Sequence, residues 1–254
     1  MRPLKLAALL LLVATPLTAK PAAPPSVDLA AAVAAPTRTP DNVKLDEGRK
    51  PAELLRFFGL SRGAQVLDLF GGNKYWSEIM APAIGPKGHV TIWQPTQFMN
   101  DKRKADLDAF TAAQKNVSVI SSPFEAPNLP RNSFNFAIVN LDIHDLYWQS
   151  TERKIPRMDP DAWLKVLYAA MKPGGVVGVV DHIALPNADT RATVDKLHRI
   201  DPNVIKVDFK RAGFQLVASS EMLRNPADDH QLLVFDPKIR GKTDRAVLKF
   251  RKPR

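Results

Sequence analysis

From residue 64 onward, short apolar runs alternate with helical patterns, and that alternation leaves this chain few folds to adopt. Residues 64–70, 89–93, 117–121, 134–141, 176–181, 214–218 and 245–251 read as strands. Several are rich in β-branched residues, as strands with both faces covered tend to be. Helical patterns lie between them at 75–83 and 98–113. A further helix opens at Asp159 and is stopped by Lys172-Pro173-Gly174-Gly175, and another opens on the N-cap and N1 pair Asp201-Pro202 and closes at Gly213. A helix at 51–58, with Gly59 after its end, precedes the first strand. Strand and helix in this order predict one α/β domain, a mostly parallel sheet with helices on both faces.

The chain ahead of that domain reads differently. Within residues 1–19, Arg2 and Lys5 precede the apolar run 6–13, and small residues follow at Thr18-Ala19. The run is too short to span a bilayer, which takes about 20 residues, and it fits a secretory signal peptide. Residues 20–42 are rich in Ala and Pro and are expected to form an extended linker, with the domain occupying 43–254. The expected location is periplasmic or secreted. With no cysteine the chain has neither a disulfide framework nor a lipid-anchoring thiol.

The formal net charge of +10 is unevenly placed. Eight basic residues lie between Lys238 and Arg254 against Asp244 alone, so the rest of the chain is close to neutral. That distribution disfavours a nucleic-acid-binding body and leaves a basic C-terminal end suited at most to weak contact with an anionic surface.

Ligands of open α/β sheets sit beyond the carboxyl ends of the strands, so the residues following each strand carry the functional argument. After the first strand comes Asp68-Leu69-Phe70-Gly71-Gly72-Asn73-Lys74-Tyr75, a turn whose glycines let backbone approach a ligand ahead of a helix N-terminus. Val66-Leu67-Asp68-Leu69-Phe70-Gly71-Gly72, Gly85-Pro86-Lys87-Gly88-His89-Val90 before the second strand, and Lys172-Pro173-Gly174-Gly175 before the fifth together resemble class I S-adenosylmethionine (SAM)-dependent methyltransferases. More narrowly, over about residues 43–253 the chain looks like a group of secreted bacterial methyltransferases. The matching stretches are Arg49-Lys50-Pro51-Ala52-Glu53, His144-Asp145-Leu146-Tyr147-Trp148, Val180-Asp181-His182, Leu197-His198-Arg199-Ile200-Asp201 and Asn225-Pro226-Ala227-Asp228-Asp229-His230.

The resemblance implies a seven-stranded sheet with an antiparallel last strand, and a SAM pocket over the first two strands formed by Asp68, Gly71, Gly72 and Gln94. Three positions, in two places, depart from the family pattern. Its acidic-x-Gly-x-Gly-x-Gly turn has Phe70, Gly72 and Lys74 at the glycine positions, and Gln94 stands where an acidic residue usually holds the ribose hydroxyls. A neutral amide still bonds a hydroxyl, without the added strength of a charge.

The second half concentrates His and Asp: His144-Asp145 after the fourth strand, Asp181-His182 at the end of the fifth and Asp228-Asp229-His230 in the insert before the seventh are expected at the same edge, with His198, at the next helix junction, a candidate to join them. Three readings follow. In the first, a methyltransferase uses His144, Asp145, Asp181 and His182 on a small-molecule acceptor, one imidazole acting as general base near its usual pKa of about 6.5. Tyr147, Trp148 and His230 then line the acceptor pocket. In the second, Phe70, Lys74 and Gln94 mark a fold that has lost SAM and serves as a non-catalytic envelope binding protein. In the third, two histidines and a carboxylate from separate loops hold a metal, although no local His-x-x-x-His spacing supplies one.

Overall fold

The computed structural model describes residues 27–186 and 189–254. The expected signal peptide lies outside the described residues. Seven strands form one sheet: β1 (Gln65–Leu69), β2 (His89–Pro95), β3 (Val117–Ser122), β4 (Phe134–Asn140), β5 (Met171–His182), β6 (Gln215–Ser220) and β7 (Arg245–Arg251). Their order is β3-β2-β1-β4-β5-β7-β6, with β7 antiparallel to both of its neighbours and the remaining pairs parallel.

Alternation along β1 divides the core. Leu67 and Leu69 face one side, where they join Trp93 and the buried faces of α7 (Pro160–Ala170) and α9 (Pro202–Ala212). Val66 faces the other, with Val90 and Ile92, against α4 (Pro51–Phe58) and α5 (Tyr75–Ile84). Each fully buried Leu, Ile or Phe contributes about 1.5–3 kcal/mol of burial, so strands covered on both faces explain the continuous apolar runs. Gly178 on β5 is part of this packing. A Cβ there would sit 2.5 Å from the Phe58 ring, so only glycine lets α4 lie against the sheet.

α6 (Asp101–Ala113) packs against β3 and is opened by Asn100, whose side chain accepts the Arg103 N–H. α8 (Thr190–Leu197) is a short helix absent from the sequence expectation. β5 also starts five residues earlier than expected, since Lys172-Pro173-Gly174-Gly175 ends α7 by turning directly into the strand, with a register irregularity opposite Phe134 and Phe136.

The described part of the expected linker is structured. Residues 27–42 carry α1 (Leu29–Val33) and the start of α2 (Pro40–Val43), and α3 (Asp46–Arg49) follows at the start of the expected domain. Leu29 and Ala32 are buried in the α4/α5 layer. The Glu78 carboxylate of α5 accepts from the Thr39 N–H, the Thr39 hydroxyl and the Asn42 amide at 3.1, 2.5 and 3.0 Å. The prolines here set turns between short helices that those polar bonds hold down, in place of an extended spacer.

Candidate active site

The carboxyl edge of the sheet carries two clusters of polar side chains. The first surrounds the turn after β1. Phe70 leaves the strand in the left-handed region (φ 57°) and starts a 3-10 turn, Gly71–Asn73, after which Lys74 (φ 65°) leads into α5. A Cβ on Gly71 would lie 2.6 Å from the Asp68 carboxyl carbon, and one on Gly72 2.6 Å from Gln94 Cδ, so each glycine lets a side chain close onto the turn. Gln94, at the end of β2, is buried and folds onto the turn, its Oε1 accepting the Gly72 N–H at 2.8 Å.

The Phe70 ring packs edge-on against Trp93 (5.0 Å between centroids) and Phe124 (5.2 Å) and stacks towards Trp163 at 6.4 Å. It therefore fills space over the β1/β2 edge. Lys74 does not: its Nζ lies 5.8 Å from the centre of the Phe110 ring on α6.

Beneath the turn is a cavity of about 150 Å³ lined by Arg49, Asp68, Gly71, Asn73, Asn140 and Asp142, among others. Asp68 is fully buried. Its Oδ2 accepts the Ser77 hydroxyl at 2.5 Å, while its Oδ1 has no hydrogen-bond partner, and neither has Asn140 Oδ1. Burial pushes the Asp68 carboxyl up to about 7, against the Ser77 hydrogen bonds and the charge of Arg49. Arg49 lies over the Tyr75 ring at 4.2 Å, held at the end of α3. The sequence marked Arg49 only within a stretch shared with the family it resembles, and its lining of this cavity follows from α3, a helix of four residues that leaves no periodic pattern.

The second cluster lies over β4 and β5. Asp181, 1% exposed, accepts three hydrogen bonds: from the His144 N–H at 2.8 Å, from His144 Nδ1 at 2.8 Å and from the His182 N–H at 2.7 Å. The imidazole of His144 is thereby fixed with Nδ1 towards Asp181 and Nε2 towards Asp145 Oδ1 (3.3 Å) and His198 Nδ1 (3.3 Å).

Burial alone would lower the His144 pKa. Asp181, Asp145 and Asp142 outweigh it and raise the value to about 9. At neutral pH this imidazole holds its proton, so it acts as a proton donor; the general-base role expected near 6.5 does not fit it. His182 is the reverse case. Burial, with His144, Arg245 and Arg199 nearby, holds it well below its ordinary value, and its Nδ1 is 2.6 Å from the Thr243 hydroxyl.

His198 reaches this cluster from the end of α8, where it sits in the left-handed region (φ 50°). The next residue anchors it: buried Arg199 forms a bidentate pair with Asp228 (2.7 and 3.0 Å) and bonds the Leu232 and Ile183 carbonyls. Ile183 and Ile200 add a parallel bridge that ties this segment to the end of β5. No local spacing announces the meeting of His198 with His144, since 54 positions separate them.

The other expected site residues are placed as follows. Trp148 packs on the His198 ring at 5.2 Å and so walls the cluster. Tyr147 turns the other way: its hydroxyl donates to Asp208 at 2.5 Å, and it borders a pocket of about 510 Å³ with Arg157, Arg191 and Ser150. His230 Nε2 bonds Asp244 at 3.0 Å, a carboxylate shared with Arg224 and the Asn225 N–H, so it braces the insert. In the basic C-terminal end, Lys249 and Lys252 donate to the carbonyls of Phe57, Tyr168 and Met171. Among the described residues no helix is long and apolar enough to cross a membrane.

Over 84% of its length the chain superposes on a SAM-dependent methyltransferase from Aquifex aeolicus, covering 99% of that chain with a TM-score of 0.55 and 18% identity. The fold is that of the class I methyltransferases. A 1,6-didemethyltoxoflavin-N1-methyltransferase from Burkholderia thailandensis, solved with its substrate and S-adenosylhomocysteine, superposes on 84% of this chain and 80% of its own (TM-score 0.52, 15% identity). In sequence, 131 residues are 30% identical to a demethylmenaquinone methyltransferase of Listeria monocytogenes, a match covering 51% of this chain and 49% of that enzyme. The chain thus spans about half the length of the curated relatives it matches. No protein-family model matches it.

Proposed function

We propose that this chain is a SAM-dependent methyltransferase that acts outside the cytoplasm on a small-molecule acceptor. One observation carries the reading: in a methyltransferase fold, a buried Asp68 with an unpaired Oδ1 borders a cavity under the glycine turn that follows β1. The donor set there fits the amino-acid end of SAM in kind. Arg49 offers a cation to a carboxylate, Asp68 Oδ1 an acceptor to an ammonium, and Gly71 and Gly72 a turn without side chains. Bound SAM supplies an electrophilic methyl group.

The adenosine end is covered. The cavity of about 150 Å³ is smaller than the roughly 300–1,000 Å³ of sites that hold ligands of drug-like size. Gln94 must leave the Gly72 N–H, and Phe70 must turn aside, before a nucleoside can lie over β1 and β2. The chain's other site residues face the acceptor side: Trp148 as an apolar wall, Asp181 as the group that orients His144, and His144 as the donor to a developing negative charge. The match to demethylmenaquinone methyltransferases makes demethylmenaquinone the first acceptor to try. The basic and apolar N-terminal run supports action outside the cytoplasm.

Calorimetric titration of the full chain with SAM tests this reading. Saturable binding at micromolar SAM is expected, and Gly72→Trp should abolish it. Absence of binding at millimolar SAM, in the wild type and in Phe70→Ala, would retire it. The packing of Phe70 against Trp93 and Phe124 favours a second reading, a methyltransferase fold that no longer admits SAM and binds another ligand. That reading requires both titrations to be flat.

A further inference from the structure

Three ligand-type atoms meet beyond the ends of β4 and β5: His144 Nε2, His198 Nδ1 and Asp145 Oδ1. Their mutual distances are 3.3, 3.3 and 3.5 Å, and they are the one group among the described residues in which His, Asp or Glu atoms converge in this way. These separations are long for good N–H···O bonds, whose heavy-atom distance is about 2.7–3.2 Å. They equal the edge of a tetrahedral ligand face. With metal–nitrogen and metal–oxygen bonds of about 2.0–2.2 Å, neighbouring ligand atoms lie about 3.3–3.6 Å apart.

A second observation points the same way. Asp145 Oδ1 is shut off from solvent and has no hydrogen-bond partner, although two imidazole nitrogens lie within 3.5 Å of it. A buried carboxylate oxygen left in that state is costly unless something satisfies it. The surroundings are those of a ligand site too. Asp181 holds His144 Nδ1, the carboxylate–histidine arrangement that orients metal-bound imidazoles and raises their basicity. Arg199 and Asp228 lock the backbone that presents His198. Trp148 and the half-exposed Phe235 flank the His198 ring at 5.2 and 5.1 Å.

We propose that His144, His198 and Asp145 bind a divalent first-row transition-metal ion of the zinc type. The ion takes the place of the proton that the ion-free chain holds on His144. Two imidazoles and one carboxylate suit such an ion. Three protein ligands leave at least one position open to water or to an oxygen or nitrogen donor of a substrate, as in catalytic rather than structural metal sites. The site lies at the β4/β5 end of the edge and does not depend on the SAM reading. Its success or failure is measured separately.

The test is titration of the chelator-treated full chain with Co²⁺, read by visible d–d absorption, followed by competition with Zn²⁺. One ion per chain is expected, displaced by Zn²⁺. His198→Ala and the near-isosteric Asp145→Asn should each weaken it by about 100-fold or more, and Asp181→Asn, which acts through His144, by about 10–100-fold. His89→Ala, whose ring pairs with Ser118, should bind as the wild type does. Thermal melts identify any variant that has lost the fold; Asp145→Asn keeps volume and shape and serves if His198→Ala does not fold. Absence of Co²⁺ and Zn²⁺ binding by the wild type at millimolar ion, or unchanged affinity in folded His198→Ala or Asp145→Asn, would overturn the proposal.

Discussion

Over β1 and β2, the chain covers its own binding edge: Gln94 occupies the Gly72 N–H, the Phe70 ring lies among Trp93, Phe124 and Trp163, and a cavity of about 150 Å³ remains. Over β4 and β5, side chains are fixed from behind and left free in front. Asp181 takes three donors to orient His144, and Arg199 anchors the backbone at His198, yet Asp145 Oδ1 has no partner. Both edges belong to one sheet and one fold. The fold decides where a ligand can sit, and the side chains at each strand end decide whether the place is open.

The largest expected effect lies at the second edge. Asp181→Ala removes the acceptor of three buried hydrogen bonds and leaves the His144 cation without its nearest counter-charge. Breaking a buried pair in this way costs about 3–5 kcal/mol, measurable as a shift in the urea midpoint at unchanged slope. A loss below about 1 kcal/mol would mean that Asp181 does not organise this edge.

Phe70→Ala probes the first edge and should move two observables in opposite directions. Stability should fall by about 2–3 kcal/mol, less than the 3–5 of a fully buried phenylalanine, because the ring is only partly buried. Affinity for SAM should rise about tenfold or more, which corresponds to removing about 1.4 kcal/mol of covering cost. A loss of stability with no gain in affinity would show that the ring is simple core.

Asp68→Asn gives a smaller effect with a pH signature. The folded Asp68 carboxyl titrates near 7, above its ordinary 3.8, so between those values the native chain holds a proton that the unfolded chain has released. Wild-type stability should therefore fall as pH rises from 4 to 7, by at most about 1.4 kcal/mol per pH unit from this group. The Asp68→Asn variant should lack that contribution, and paired denaturation curves across the window would reveal the difference. Parallel curves would show that Asp68 is not buried as an acid.

The smallest effect is expected at His230. His230→Gln shortens the reach to Asp244 but leaves the Arg224 bonds in place, so a loss of about 0.5–1.5 kcal/mol is expected. Co²⁺ binding should not change. A change there would draw the insert into the second edge and blur the contrast.

The sheet was legible in the sequence because strands covered on both faces must be apolar throughout, and runs such as those around Val66, Ile138 and Val179 are. The helices at 29–49 were not, since each is four or five residues long and held by tertiary contacts to α5 that leave no periodic pattern. α8 was missed for a related reason: only Thr193 and Val194 of its eight residues are buried. At the candidate site, the sequence brought Asp68, Gly71, Gly72 and Gln94 to one strand edge and His144 and Asp181 to another. It could not show that Gln94 would turn inward onto Gly72, because either conformation satisfies an amide. Nor could it show that His198 completes the second cluster, which depends on a buried Arg199–Asp228 pair formed between distant segments.

The most direct measurement is a crystal structure of the full chain grown with saturating S-adenosylhomocysteine. Density for the nucleoside over β1 and β2, with Gln94 withdrawn from the Gly72 N–H, the Phe70 ring displaced and Asp68 Oδ1 partnered, is the result expected. Gln94 and Phe70 in place with no nucleoside density would contradict the account at its centre.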